Sequence, residues 1–205
     1  TSPKPRTYGP QTAVVVGPSG QEIWTNEHGQ VKVHFQWDRY DQEDEYSSCW
    51  VRVSSAWASN SFGAIQIPRI GDEVIVDFLN GDPDYPIITG RVFNARNMPP
   101  WKLPDNATQM GIYSRSSPDG IYQTANALRF EDKMSHEEVY LHAQKDQNIK
   151  IKNNYSKRID VNKIESVGHN KGVEVSNNHY EVIGGDMALF VGPTQKGRFT
   201  PPNAN

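Results

Sequence analysis

Between Ile149 and Val191 the chain repeats itself every eight residues, a period that no helix has. Ile151, Ile159, Val167, Val175, Ile183 and Val191 stand at successive steps of eight, and each is a β-branched aliphatic. Three places after the first five of them come Asn154, Asn162, Asn170, Asn178 and Asp186, residues that support tight corners. Glycine follows the apolar position at Gly168, Gly184 and Gly192. The pattern predicts a short strand and a turn, repeated, with the β-branched side chain directed inward. Such a unit is too small to bury its own apolar face, so it must stack. A lone chain could wind three units to a coil, or three chains could wrap one axis. Six units give a lone chain only two uncapped coils, fewer than stacked repeats need to enclose a core. Three intertwined chains would instead close a triangular prism with strand edges free only at its ends. The trimer is the expected arrangement, with the six β-branched residues as its core.

Upstream, residues 12–95 carry dense strand signals and no helical segment. Thr12–Val16 is a β-branched run stopped by Gly17-Pro18-Ser19-Gly20. Ile23-Trp24-Thr25 and Val31–Trp37 flank Asn26-Glu27-His28-Gly29, which predicts a hairpin. Val31, Val33, Phe35 and Trp37 alternate with polar residues, which places them on one buried face. Trp50–Ser54, Ala64–Ile67, Glu73–Leu79 and Ile87–Phe93 supply further strands. Five to seven short strands in this span predict a small β-barrel of the OB type. Residues 96–127 read as an extended connector, too rich in Trp101, Ile112, Tyr113 and Tyr122 for a solvated tether. Leu128–Phe130 and Val139–Leu141 pair as a hairpin that feeds the repeats, making 128–192 one needle. Residues 1–11 read as a linker cut from a longer chain, and 193–205 as a flexible tail. The expected fold class is all-β: an OB-fold-like barrel followed by an intertwined trimeric triangular β-helix.

Composition narrows the chemistry. A formal charge of −3 gives no global cationic field for nucleic acid. Mean hydropathy is −0.71, polar but with 10% aromatics, as suits an elongated folded protein. No apolar run reaches membrane-spanning length. Cys49 is the sole cysteine, which excludes an intrachain disulfide, and its strand context predicts burial. Asp38, Asp41, Glu43, Asp44 and Glu45 form an acidic run best read as a solvated loop; glycosidase carboxylates need rigid opposition across a cleft. His169 and His179 occupy different octad positions and build no ladder; solvent-facing side chains are the expectation, with metal ligation on a trimer axis, where one residue becomes three by symmetry, as the alternative. No nucleophile motif is present, and Gly184-Gly185 opens no helix that could cradle phosphate. No catalytic residue, cofactor or metal site is expected. An OB module that binds nucleic acid or oligosaccharide is the rival reading. It is weakened by sparse basic residues in the barrel (Lys32, Arg39, Arg52, Arg69, Arg91). A phage tail spike or baseplate protein is the other rival; a polysaccharide-cleaving spike would need a longer coil and a carboxylate-lined groove.

Long ordered strings carry a resemblance. The run 67–78 (Ile67-Pro68-Arg69-Ile70-Gly71-Asp72-Glu73-Val74-Ile75-Val76-Asp77-Phe78) resembles the VgrG family, the spike proteins of type VI secretion. So do Gly81-Asp82-Pro83-Asp84-Tyr85-Pro86-Ile87-Ile88-Thr89-Gly90-Arg91-Val92-Phe93-Asn94, Val31–Arg39, Arg129–Lys133 and Leu141–Asp146. The resemblance runs from about Tyr8 to Val191 and implies a non-enzymatic homotrimeric spike without the family's N-terminal hub. It also implies a PAAR-type tip protein, an Hcp tube and secreted effectors as partners, with transient contact to a target membrane. Assembly in the bacterial cytoplasm and translocation outward follow from the same resemblance. Lys157, Glu165 and Glu181 depart from the family's more uniform Val-Gly octads. At about 4.8 Å per stacked strand the repeats would give a needle of roughly 25–30 Å.

Overall fold

The computed structural model describes residues 3–40, 42–189 and 191, so the expected tail at 193–205 lies outside the described residues. The chain divides into two compact units, Thr1–Asn148 and Ile149–Asn205.

The first unit holds two sheets. Five strands make the larger: β1 (Gln11–Val16), β2 (Lys32–Phe35), β3 (Arg52–Val53), β4 (Glu73–Phe78) and β5 (Pro86–Val92). Their order is β2-β1-β4-β5-β3. Val31 and Val51 then exchange backbone hydrogen bonds of 3.1 and 2.8 Å, joining the β2 edge to the β3 edge. The sheet is thereby a closed barrel in which β3 runs parallel to β5 and the other pairings are antiparallel. That circuit is the OB topology, and full closure leaves no barrel edge to aggregate.

Alternation decides what fills the barrel. Ala13 and Val15 on β1, Val33 on β2 and Val74, Val76 and Phe78 on β4 point inward with Val31, Val51 and Ile88. Each fully buried aliphatic of this size contributes about 1.5–3 kcal/mol relative to exposure. Between β4 and β5 the pairing steps from Ile75↔Gly90 to Val76↔Ile88, leaving Thr89 as an extra residue. Such a bulge sharpens the local twist that a five-stranded barrel needs to close.

Three local expectations change. Ile23–Thr25 does not pair with β2, which takes the longer β-branched β1 as its partner. The turn itself forms, because the Asn26 side-chain oxygen accepts from the His28 and Gln30 amides at 3.0 and 3.1 Å. Ala64–Ile67 is a loop, held where Arg91 donates to the Gln66 carbonyl, and Ile65 is exposed. Trp37 lies beyond the end of β2 and is 65% exposed, its ring stacked on Phe35 and its indole N–H donated to Gln11 at 2.8 Å.

The second sheet has the order β6 (Gln109–Tyr113), β7 (Ala127–Glu131), β8 (Glu138–His142), all antiparallel. β6 falls in the stretch read from sequence as an extended connector. Directly paired residues share a face, so the register sorts the side chains. One face carries Arg129, Glu131, Glu138 and Tyr140, with Arg129 paired to Glu138 and its guanidinium 5.1 Å from the Tyr140 ring. Tyr113 lies on that face too, between Trp101 and Tyr122 of the preceding and following loops. The opposite face is apolar. Glu22 ties the barrel to the loop after β6: its carboxylate accepts from the Ser117 hydroxyl and the Asp119 amide, both at 2.7 Å. Arg69 donates to the Arg115 carbonyl at 2.7 Å alongside.

In the second unit no residue from 149 to 189 belongs to a hydrogen-bonded strand of the single chain.

Candidate functional site

The octad ladder is the feature of the second unit that separates one set of side chains from the rest. Ile151, Ile159, Val167, Val175 and Ile183 are all between 41% and 48% exposed. Other aliphatics of the same unit stand further out, Val161 at 85% and Val182 at 95%. The eight-residue step therefore picks out one consistently half-sheltered face. Val191 is the exception at 88%.

Charge is arranged between octads. Glu165 accepts from Lys163 at 2.8 Å and pairs with Lys171 at 2.6 Å. The two lysines stand one octad apart, so a single carboxylate bridges consecutive repeats. These contacts, the Lys163 hydrogen bond first and Lys171 next, push the Glu165 carboxyl down to about 2. Glu165, which departs from the apolar trend, thus has both partners within its own chain. Arg158 and Asp160 pair likewise at 2.8 Å.

Gly168 and Gly184, each directly after a ladder residue, have nothing within 4 Å of where a Cβ would stand, and neither adopts a positive φ. Packing within the single chain makes no demand for glycine at either place.

The residues weighed for chemistry are scattered. Asp38 accepts from the Tyr40 amide at 3.0 Å, and Asp44 from the Tyr46 amide at 2.8 Å; both cap their own loop. Glu43 lies 3.8 Å from His34, and the Glu45 backbone carbonyl accepts from Lys32 at 2.7 Å. Asp41 lies outside the described residues. Among the described residues no group of three His, Cys, Asp or Glu side chains could hold a metal ion. Cys49 is exposed and not buried as its context predicted, because the strand pairing begins only at Val51. Trp24 and Trp50 offer no open stacking platform. Trp24 and Trp50 sit with ring centroids 4.5 Å apart, and the Lys32 ammonium lies over both, at 5.6 and 5.3 Å. Lys32 already occupies faces on which a base or sugar would stack.

Residues 21–93 match the family described as the type VI secretion system/phage-baseplate injector OB domain. Residues 110–200 match the bacteriophage T4 gp5 C-terminal trimerisation domain. The type VI secretion system spike protein VgrG1b of Pseudomonas aeruginosa is 60% identical over 153 residues, 75% of this chain. This chain belongs to the VgrG family. VgrG1c of the same organism is 58% identical over 156 residues, 76% of this chain. The actin cross-linking toxin VgrG1 of Vibrio cholerae is 46% identical over 189 residues, 92% of this chain. The chain spans about a fifth of the length of these VgrG relatives, 21%, 22% and 16% respectively. Its architecture is that of the family: an OB barrel followed by a β-helix. Sequence reading missed β6, although Met110 and Ile112 already alternate there with Gln109, Gly111 and Tyr113.

Proposed function

We propose that this chain is a structural, non-enzymatic part of a type VI secretion spike: three copies form a collar of OB barrels that passes into a triangular needle. The observation that carries the reading is the ladder Ile151, Ile159, Val167, Val175 and Ile183, held at one common half-exposure at a strict period of eight. A single chain leaves these β-branched residues only half covered, and burying the rest is the available gain. Two further copies around a shared axis would cover them and supply ladder partners for each short strand. Gly168 and Gly184 support this, since a close approach by another chain accounts for glycine where the chain's own packing does not. Val191 would close the same core at its far end.

In this reading residues 12–95 are the collar and 128–192 the needle. Its task is mechanical, to breach a membrane when a contractile apparatus fires. A prism of interlocked chains is stiff because no strand can peel away without unwinding from two others. A PAAR-type tip, an Hcp tube and carried effectors are the partners, and the path runs from assembly in the bacterial cytoplasm to the outside of the cell. The similarity to proteins named as type VI spike proteins favours this over a free-standing phage component.

Two variants of the same octad test the inner face. Val175→Asp would bring three carboxylates together without partners at the axis and should abolish the trimer. Asn177→Asp, two positions on, should keep it. Light scattering distinguishes these outcomes, and equal behaviour of the two variants would refute the assignment.

A further inference from the structure

The corner between β4 and β5 has a second strip of chain lying along it. Residues 3–7 fall in the stretch read from sequence as a linker, yet the Thr7 amide donates to the Gly81 carbonyl at 3.0 Å. The Lys4 ammonium is clasped by two carboxylates, Asp82 at 2.7 Å and Asp84 at 2.8 Å. Both carboxylates push the Lys4 amine above its ordinary range. Asp82 is held below the usual carboxylate range, by Lys4 first and by the Asp84 amide next.

The corner holds its own shape. The Leu79 amide donates to the Tyr85 carbonyl at 3.0 Å, and the Asp82 amide and carbonyl each bond within the turn, at 3.1 and 3.0 Å. The Asp82 side chain also accepts from the Asp84 amide at 3.0 Å. The two carboxylates are thus oriented by the corner itself, apart from Lys4. Gly81 is the point of closest approach: its φ is 69°, and a Cβ there would stand 2.9 Å from the Thr7 carbonyl oxygen. The Thr7 hydroxyl oxygen is itself buried. On the strip, Lys4 sits between Pro3 and Pro5, whose fixed φ leaves fewer conformations to lose on docking.

The link from strip to barrel is loose by contrast. Tyr8 is 99% exposed, and Gly9 has a φ of 130° with nothing within 4 Å of where a Cβ would stand. Without the contacts at Lys4 and Thr7 the chain could pivot there before entering β1. Exposed ion pairs are individually weak, so this strip can release while the barrel stays folded on its own buried core.

We propose that residues 3–7 are a reversible strap that docks on the β4–β5 corner and fixes the direction in which the chain enters β1. The strap acts within one chain and is independent of how many copies assemble. Docked, it gives the barrel two attachments to the incoming chain, at β1 and at the corner, in place of a pivot at Gly9.

Trypsin reads the docked fraction directly. Arg6–Thr7 is the one bond in residues 3–10 open to it, because Pro5 follows Lys4. Release of the peptide ending at Arg6 is followed by mass spectrometry, on the full chain and on a synthetic peptide of residues 1–11. The full chain should release it at least about tenfold more slowly than the synthetic peptide does. Asp82→Asn with Asp84→Asn should speed release from the full chain at least about threefold. Asp105→Asn, which removes the exposed Lys102 pair elsewhere in the same unit, should leave the rate unchanged. Amide exchange at Val15 and Val33 should stay as slow in the double variant as in wild type, while exchange at Thr7 quickens. Release as fast as from the synthetic peptide, or an unchanged rate in the double variant, would overturn the strap. Equal acceleration by Asp105→Asn would overturn it too. So would loss of protection at Val15 and Val33 together with Thr7, since the strip would then open only with the barrel.

Discussion

Gly111 stands at the middle of β6, between Met110 and Ile112, with a φ of 151° that side-chain-bearing residues rarely adopt. A Cβ there would lie 2.1 Å from the Leu128 carbonyl oxygen and 2.9 Å from the Arg129 Cα, both backbone atoms of the neighbouring strand. Neither can move without breaking the β6–β7 ladder. Gly111→Ala should therefore destabilise the first unit by about 1–3 kcal/mol or detach β6 outright. Urea unfolding checks this, and an unchanged midpoint would contradict it. The same glycine explains why β6 was hard to read: it interrupts the run of β-branched and aromatic residues that announces a strand. Trp37 shows the opposite failure. Its place in the alternation Val31, Val33, Phe35, Trp37 is correct, but the strand ends at Phe35 and period-two logic lapses where pairing stops. Cys49 lies before its strand begins, so it too inherited a burial that its neighbour Val51 alone achieves.

Between elements, Glu22 is the joint that couples the barrel to the loop following β6. Its two accepted hydrogen bonds, from Ser117 first and from the Asp119 amide next, hold its carboxyl below the usual carboxylate range; Arg69 and Arg115 act in the same direction. A depressed value in the folded state means that the charged form contributes stability above the ordinary range. That contribution fades as the pH falls through the lower folded value. Glu22→Gln should speed amide exchange at Asp119 at neutral pH, while the wild type should approach the variant only in acid below the ordinary carboxylate range. Equal exchange at pH 7 would contradict the joint. None of this coupling was legible, because residues 22 and 119 are far apart in sequence and neither belongs to a motif. The barrel was legible for a physical reason. Its strands bury one face only, so Val15, Val33, Val74 and Val76 alternate with polar residues, and Gly-Pro-Ser-Gly and Asn-Gly-Asp-Pro mark the corners. Ala64–Ile67 carried a similar composition but is held by side-chain contacts from β5, which no local pattern announces.

At the scale of the whole molecule, the repeats and the barrel make different demands on the chain. The barrel closes upon itself, with nine residues buried in its core. The ladder does not: its five members stay half-exposed within the single chain. The period of eight could be read directly from the sequence, because each octad repeats one chemical environment. The inner register was harder to read, because Lys157, Glu165 and Glu181 stand close to the apolar positions. Glu165 proves to be clamped by Lys163 and Lys171, which supplies a role for its charge away from the ladder. The central claim is that the chain works as three. Light scattering of the wild-type chain at micromolar concentration tests it most directly. A trimer should give a mass three times that of the 23.1 kDa chain, and a homogeneous species at 23.1 kDa would contradict the account.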